Sequence, residues 1–342
     1  MSGGVDSSAA AHIILSAGHD AIGATMTVTE GLFGNPEGLS EDAKMAARIC
    51  EKLGIDHKVI DLGEEFRQYV VDDFIARYLE GKTPNPCIVC NKNIKFGALL
   101  ERGEALGCDK IATGHYAKVE RDENGRYLLK KADDTSKDQS YMLWTLSQNQ
   151  LSKCIFPLGS LTKSEVREMA SGLTFENASQ KDSQDVCFIP DGDYARFISH
   201  YADTSKAGNY VDMQGNILGK HKGIIHYTVG QRKGLGIALG QPMFVHSKNA
   251  ESGDVVLCKN EVLFSKTLTA SGINLISCDS IEAPIRVLAK ARYHQIPAPA
   301  TVVQIAPDKI RVDFDEPVRA ISPGQSVVLY DGDTVIGGGF ID

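Results

Sequence analysis

The chain has 342 residues, of which 42% are hydrophobic and 23% charged, with 36 Lys and Arg against 44 Asp and Glu for a formal charge of −8. This ordinary globular composition excludes general disorder, a collagen-like fibre and a disulfide miniprotein, and the length calls for two or three domains. No run of 18 apolar residues occurs, and the first ten residues hold neither a basic nor an apolar signal segment. No membrane partner is therefore expected, and the expected location is cytoplasmic. The negative charge argues against coating nucleic acid but leaves room for a local basic face. Eight cysteines (50, 87, 90, 108, 154, 187, 258 and 278), thinly spread and without a secretion signal, read as reduced thiols.

In chain order, Ser7 to Ala17 is a good helix former and Ala21 to Val28 a short strand. Ser40, with Glu41 and Asp42 behind it, opens a helix that runs through Leu53 and stops at Gly54. His57 to Leu62 reads as a strand and Glu64 to Leu79 as a helix. Thr83-Pro-Asn-Pro86 must be extended, because a residue before proline avoids the α region. Asn91 to Leu106 is helical again and Lys110 to Thr113 a short strand. Strands alternating with helices mean α/β architecture with a doubly wound parallel sheet.

From about Tyr201 the helical period fades. Short β-rich runs follow at 223–229, 242–246 and 254–258, then at 285–289, 300–305, 309–314 and 326–330, with turns such as Asp331-Gly332 between them. This spacing predicts a small mixed domain and then a C-terminal β-barrel. The expected domains are 1–197, 198–269 and 270–342. Residues 198–269 hold eight Lys/Arg and five Asp/Glu, a net +3, whereas the remainder carries −11. A basic middle domain between acidic neighbours is expected.

Ser2-Gly-Gly-Val-Asp-Ser-Ser8 runs straight into the first helix. Two glycines let backbone N–H groups approach an anion, the serine hydroxyls add donors, and the helix N-terminus supplies positive potential. An ordinary Gly/Ser loop is the bland alternative. The loop is neither a Walker A motif nor a GxGxxG fingerprint. Seven matched residues resemble the SGGxDS signature of the PP-loop ATP pyrophosphatases, which bind ATP and cleave it to AMP and pyrophosphate. That resemblance implies a nucleotide site over Ser2, Gly3, Gly4, Val5, Asp6 and Ser7. In that family the loop follows a buried strand, and none precedes Met1 here. The strand's neighbours would then have unpaired backbone groups, and poor stability is expected.

Pro86-Cys-Ile-Val-Cys-Asn91 is a second constellation: half a zinc site, a redox pair or coincidence. Its place at a helix N-terminus is expected to lower its thiol pKa. Cys187 is a third candidate thiol, while the other five cysteines read as packed or incidental. The motifs Ser2–Ser8, Asn85-Pro-Cys-Ile-Val-Cys-Asn-Lys-Asn-Ile-Lys-Phe96, Thr113-Gly-His-Tyr116 and Lys137-Asp-Gln-Ser-Tyr-Met142 run through the first half of the chain. They continue in Asp185-Val-Cys-Phe-Ile189, the run from His226 to Gly236, Lys290-Ala-Arg-Tyr293 and Pro323-Gly-Gln325. Together they resemble the tRNA-uridine 2-sulfurtransferases over nearly the whole chain.

That resemblance implies adenylation of O2 of a wobble uridine by ATP with Mg2+, then sulfur attack at C2 and loss of AMP. By position, Cys90 would be the nucleophile and Cys187 the persulfide carrier, fed by an upstream persulfide or sulfide donor. A persulfide is a better nucleophile at neutral pH than a thiol, and a second thiol can expel its sulfur, leaving a disulfide. Met26 and Gly114 match nucleotide contacts. Lys137, Asp138, Gln139, Arg292, Tyr293 and Gln325 match tRNA contacts, and Asn85, Pro86 and Cys87 match the segment facing the target base. His115, at a strand end where α/β sheets bind ligands, is counted with the tRNA set, a structural histidine being the simpler alternative. Many family members carry aspartate at the position of Cys87. Cys87, Cys90 and Cys187 together suit three irons of a 4Fe–4S cluster, and on ligand chemistry this reading stands slightly ahead of a persulfide relay. Lys92, Lys95, Lys130, Lys131, Lys220, Lys222, Arg232 and Lys233 are candidate phosphate-tracking cations, a solvated lysine being the safer reading for most. The target base is expected to flip out of its stack. Another PP-loop enzyme, such as an amidotransferase or synthetase, would share only Ser2–Ser8. A non-catalytic tRNA-binding protein would leave the ATP loop unexplained.

Overall fold

The computed structural model describes residues 1–28, 40–173, 175, 186–204 and 207–342. The chain forms two compact units: residues 1–70, 87–184 and 333–336, and residues 71–86, 185–332 and 337–342.

The first unit is α/β. Helix Val5–Ser16 follows the glycine loop directly. Strand β1 (Gly23–Thr27) pairs in parallel with β2 (His57–Asp61), from Gly23↔His57 to Thr27↔Asp61. Helix Glu41–Leu53 lies between them in sequence. Its ends follow local chemistry, because the Ser40 side chain accepts from Ala43 N and Gly54 closes the helix in the left-handed region. Strand β3 (Ile111–Ala112) is followed by the hairpin β4 (Ala117–Arg121) and β5 (Tyr127–Lys131), and β6 (Cys154–Ile155) pairs in parallel with β3. The parallel sheet is thus present as two ladders, β1–β2 and β3–β6, with no backbone pairing between them among the described residues. Helix Val5–Ser16 packs on helix Lys163–Gly172 through Val5, Ala9, Ala10, Val166 and Ala170, and Leu158 fills the same core. Each fully buried Val or Leu there contributes about 1.5–3 kcal/mol.

Two helical stretches differ from the regular α period expected of them. Residues 64–79 form Gly63–Phe66, a wide π turn at Arg67–Val71, and Asp72–Leu79. The stretch after Cys90 is π-helical over Asn91–Ala98 and α-helical over Leu99–Ala105. Such wide turns cost hydrogen-bond quality and concentrate at functional sites.

In the second unit, β7 (Gly208–Val211), β8 (Ile217–His221), β9 (Phe244–Lys248) and β10 (Val255–Cys258) form a sheet in the order β8-β7-β10-β9. Tyr210, Tyr227, Val245, Val255 and Leu257 make its core. The expected strand over 223–229 is instead a 3-10 turn at Ile224–His226. The reason is local: His221 Nδ1 accepts the Gly223 N–H at 3.0 Å, and Gly223 takes φ +123°, which turns the chain out of the ladder.

The remaining strands are β11 (Phe264–Leu275), β12 (Ile285–Lys290), β13 (Ala298–Ala306), β14 (Lys309–Arg319), β15 (Ser326–Asp331) and β16 (Thr334–Ile341). In the order β11-β14-β13-β12-β15-β16 they close into a six-stranded barrel, with Ala270↔Ile341 and Leu275↔Gly337 joining the first strand to the last. The expected barrel is present. Residues 333–336 of the last strand belong to the first unit, where Thr334 pairs with Lys130.

Closure of the barrel leaves no room at Gly337, where an added Cβ would lie 2.2 Å from Asn274 O. Gly337→Val is expected to destabilise the second unit by about 1–3 kcal/mol, the usual penalty for overpacking. A lowered urea midpoint for the unfolding of that unit checks it.

Candidate active site

The glycine loop is built for close approach. Gly3 adopts φ +71°, and a Cβ there would lie 2.6 Å from Asp42 O. From the other side, a Cβ on Gly114, just past β3, would lie 2.8 Å from the Asp6 carbonyl carbon. Only glycine lets these backbones meet. Gly4 is the N-cap of the first helix and supplies no capping side chain, so the first-turn N–H groups form an anion-accepting cradle. The serines were expected to add donors toward the anion. Instead Ser7 Oγ and Ser8 Oγ donate back to Gly4 O at 3.0 and 2.9 Å, and Ser2 N donates to Ser7 Oγ at 3.2 Å. They shape the loop.

Asp6 stands in the first turn of this helix, where a carboxylate is favoured by the helix dipole. Two residues converge on it. Lys163 Nζ donates to Oδ1 and Oδ2 at 2.7 and 2.8 Å, and Tyr116 OH donates to Oδ1 at 2.9 Å. The ammonium also lies 5.8 Å from the centre of the Tyr116 ring. The Lys163 side chain is only 11% exposed and that of Asp6 34%, so the pair is sheltered on the lysine side. Thr162 and Glu165 form a capping box that fixes Lys163 as the first residue of its helix. Sequence reasoning missed this partner. The box Thr162-x-x-Glu165 was a readable signal for the helix start, but nothing local links it to Asp6.

Met26 is half-buried on β1, opposite Ile60. His115 is buried; its Nδ1 lies 2.8 Å from Thr113 Oγ1, and its ring packs 5.7 Å from Phe96 and 5.9 Å from Phe156. Burial, helped by the Lys95 ammonium, holds its imidazole well below the ordinary histidine range. Burial also lowers the imidazoles of His57, His221 and His226.

Cys87 and Cys90 lie on the short helix Pro86–Cys90, with the Cys90 side chain buried and that of Cys87 exposed. The expected lowering of the Cys87 thiol pKa is not found. Desolvation on its inner side raises it, against a smaller opposing pull from the Lys95 ammonium, and a five-residue helix does not reverse that. Asn91, next to Cys90, is buried and donates Nδ2 to Met142 O at 2.9 Å. Cys187, in the second unit, is exposed, while its neighbour Phe188 is buried against Phe74 and Phe197 at ring distances of 5.5 and 5.2 Å. Asp185 and the residues before it back to 176 lie outside the described residues. Cys50, Cys154 and Cys258 are buried, as expected of packing residues, and burial pushes the Cys154 thiol up to about 12. Among the described residues no group of three His, Cys, Asp or Glu side chains is placed to hold a metal ion.

Of the residues matched to tRNA contacts, several are engaged within the fold. Asp138 accepts from Ala132 N, Ser140 N and Ser140 Oγ. Gln139 Oε1 accepts from Tyr116 N at 3.0 Å, and Lys137 N donates to Asp134 O at 3.0 Å. Arg292 is exposed and donates to Arg319 O at 2.8 Å; Lys290 Nζ lies 5.5 Å from the ring centre of Tyr293. Gln325 donates to Thr83 O at 2.7 Å. Lys220, Lys222, Arg232 and Lys233 are exposed. No helix among the described residues is long and apolar enough to cross a membrane.

An uncapped helix start behind a glycine loop stands at the head of the α/β unit, and the chain continues into two β-rich segments. Residues 1–191 match the family described as tRNA methyl transferase HUP domain, 195–259 its PRC-barrel domain, and 265–341 the aminomethyltransferase beta-barrel domain. The tRNA-specific 2-thiouridylases MnmA of Clostridioides difficile (strain 630) and Acetivibrio thermocellus are each 49% identical to the chain, covering all of it and 96% and 97% of their own length. That of Treponema denticola is 44% identical over the whole chain and 96% of its own length. The chain belongs to the tRNA-specific 2-thiouridylase family.

The buried His115 and His221 set an acid limit. An unfolded histidine titrates near 6.5, whereas these folded imidazoles resist the proton, so stability present above about pH 6.5 is lost as pH falls. The urea midpoint is expected to drop between pH 7.5 and 5.5, and to drop less in His115→Asn; an equal drop in the variant would assign the loss to other groups.

Proposed function

We propose that the chain is a tRNA 2-thiouridylase that adenylates O2 of the wobble uridine and places sulfur at C2, yielding 2-thiouridine, AMP and pyrophosphate. The observation that carries this reading is 44–49% identity over the entire chain to relatives bearing that name. The glycine loop supports it physically, because the reaction needs a phosphate cradle and a thiol nucleophile.

ATP enters with Mg2+, its phosphates on the amides of Ser2–Ser7 and its adenosine beside Met26 and Gly114. O2 of the uridine attacks the α-phosphorus, pyrophosphate leaves, and an inert carbonyl oxygen becomes part of a leaving group. The sulfane sulfur on Cys187, supplied by an upstream persulfide donor, forms the bond to C2 as the C2–O bond to AMP breaks. The Cys90 thiolate then attacks the Cys187 sulfur, frees the thiocarbonyl product and leaves a Cys90–Cys187 disulfide that an external dithiol must reduce. This relay requires two sulfurs to meet once per turnover, whereas a 4Fe–4S cluster requires a standing three-cysteine set. Iron and sulfide counts on anaerobically purified protein decide between them.

The tRNA is met by Asn85, Pro86, Cys87, His115, Lys137, Asp138, Gln139, Arg292, Tyr293 and Gln325, with phosphate contacts from Lys220, Lys222, Arg232 and Lys233. The segments 1–197, 198–269 and 270–342 act as catalytic, central tRNA-binding and barrel domains in a cytoplasmic enzyme.

Incubation with tRNA, ATP, a persulfide donor and a dithiol reductant is expected to yield 2-thiouridine by mass spectrometry of nucleosides. Cys90→Ser is expected to abolish it, and Lys220→Glu to weaken tRNA binding and reduce the log–log salt slope by about 1. Pyrophosphate release without any thiolated nucleoside would favour another PP-loop chemistry.

A further inference from the structure

The segment entering the cysteine loop is gripped from both β-rich parts of the second unit. Lys248, at the end of β9, donates from Nζ to Tyr227 O at 2.8 Å and to Lys82 O at 3.3 Å, and its ammonium lies 5.6 Å from the centre of the Tyr78 ring. Gly81 runs beside the same lysine, where a Cβ would lie 3.3 Å from Lys248 Cβ. From the barrel side, Thr83 N donates to Pro323 O at 2.9 Å and Gln325 Nε2 donates to Thr83 O at 2.7 Å. Gly324, at φ +86°, seals this contact, since a Cβ there would lie 2.9 Å from Lys82 Cβ. Three successive residues, 81 to 83, are thereby fixed. Pro84 and Pro86 follow, and their locked φ carries the direction set at Thr83 on to Asn85.

Lys248 makes no ion pair among the described residues. A half-buried ammonium held by carbonyls and a ring face is costly, and its removal leaves two carbonyl oxygens without this donor. Nothing in the packing of β9 alone demands a cation at this place, yet the side chain spans from the middle sheet to the chain just before the cysteines.

We propose that Lys248 is a positioning residue which, with Gln325, clamps residues 81–83 and so sets the base-facing segment Asn85–Cys87 for the target uridine. This rests on the reading of the chain as a tRNA 2-thiouridylase. It also gives Gln325 a task within the fold: its amide holds Thr83. The titratable group facing the ammonium is Tyr78, whose own phenol is raised by burial and stays neutral, and no carboxylate faces it among the described residues. Burial lowers the Lys248 ammonium to about 8, so the clamp loses its charge, and weakens, in mildly alkaline solution.

The full chain is assayed for tRNA thiolation at saturating ATP, and for hydrogen exchange of the peptide spanning 79–87 without tRNA. Lys248→Met is expected to lower kcat/KM for tRNA at least tenfold, to leave KM for ATP unchanged and to speed exchange at Thr83. Lys248→Arg is expected to keep the neutral-pH value and to remove the alkaline decline that wild type shows between pH 7.5 and 9. Activity of Lys248→Met within twofold of wild type, or an identical alkaline decline in Lys248→Arg, overturns the clamp. If Lys248→Met fails to fold, the Lys248→Arg pH profile decides alone. Exchange needs no turnover, so a wild type that does not thiolate tRNA overturns the functional reading while the clamp is still measured.

Discussion

The structure turns on the sheltered contact between Asp6 and Lys163. A helix start with free amides attracts an anion, and the first anion at hand is the protein's own carboxylate in its first turn. Left loose, Asp6 would compete for the cradle that ATP needs. Lys163 and Tyr116 take hold of both its oxygens, at 2.7 to 2.9 Å, and so occupy it with partners other than the amides. The partners come from the start of another helix and from the end of the β3 segment, so the contact also ties three parts of the α/β unit together around the loop. Gly114 and Gly3 serve the same end by letting neighbouring backbones close in without side chains.

The chemistry divides between a rigid part and a positioned part. The cradle is rigid, set by glycines, a helix start and an ion pair. The cysteine loop is positioned, reached through a proline-stiffened segment and followed directly by the π-helical stretch Asn91–Ala98, which re-aims the chain after Cys90. The thiols differ by environment: Cys90 is buried, Cys187 is exposed beside an anchored Phe188, and burial raises Cys87 instead of activating it. In the proposed relay, this asymmetry would leave one thiol accessible for loading and keep another from indiscriminate oxidation.

Much of this was readable along the chain because its causes are local. Ser40 and Gly54 bounded their helix as capping chemistry requires, and seven loop residues carried a resemblance to the family to which the chain belongs. The misses have non-local or competing causes. Residues 223–229 alternate like a strand, but the His221 ring captures the Gly223 amide and turns them. The π turns carry nearly the same apolar period as α-helix and were invisible to it. Barrel closure between β11 and β16 joins residues some 70 positions apart in sequence, such as Ala270 and Ile341. Lys163 stands 157 residues from Asp6, so no spacing rule links them, and the family motifs quoted for the loop did not contain it.

The central claim is that Lys163, by holding Asp6, keeps the phosphate cradle open for ATP. Titration calorimetry of ATP against wild type, Lys163→Arg and Lys163→Met tests it most directly, with thermal melting as the control for folding. The account predicts that Lys163→Met loses at least about tenfold in ATP affinity, roughly 1.4 kcal/mol, while still melting cooperatively, and that Lys163→Arg falls between the two. A folded Lys163→Met protein that binds ATP as tightly as wild type would contradict it.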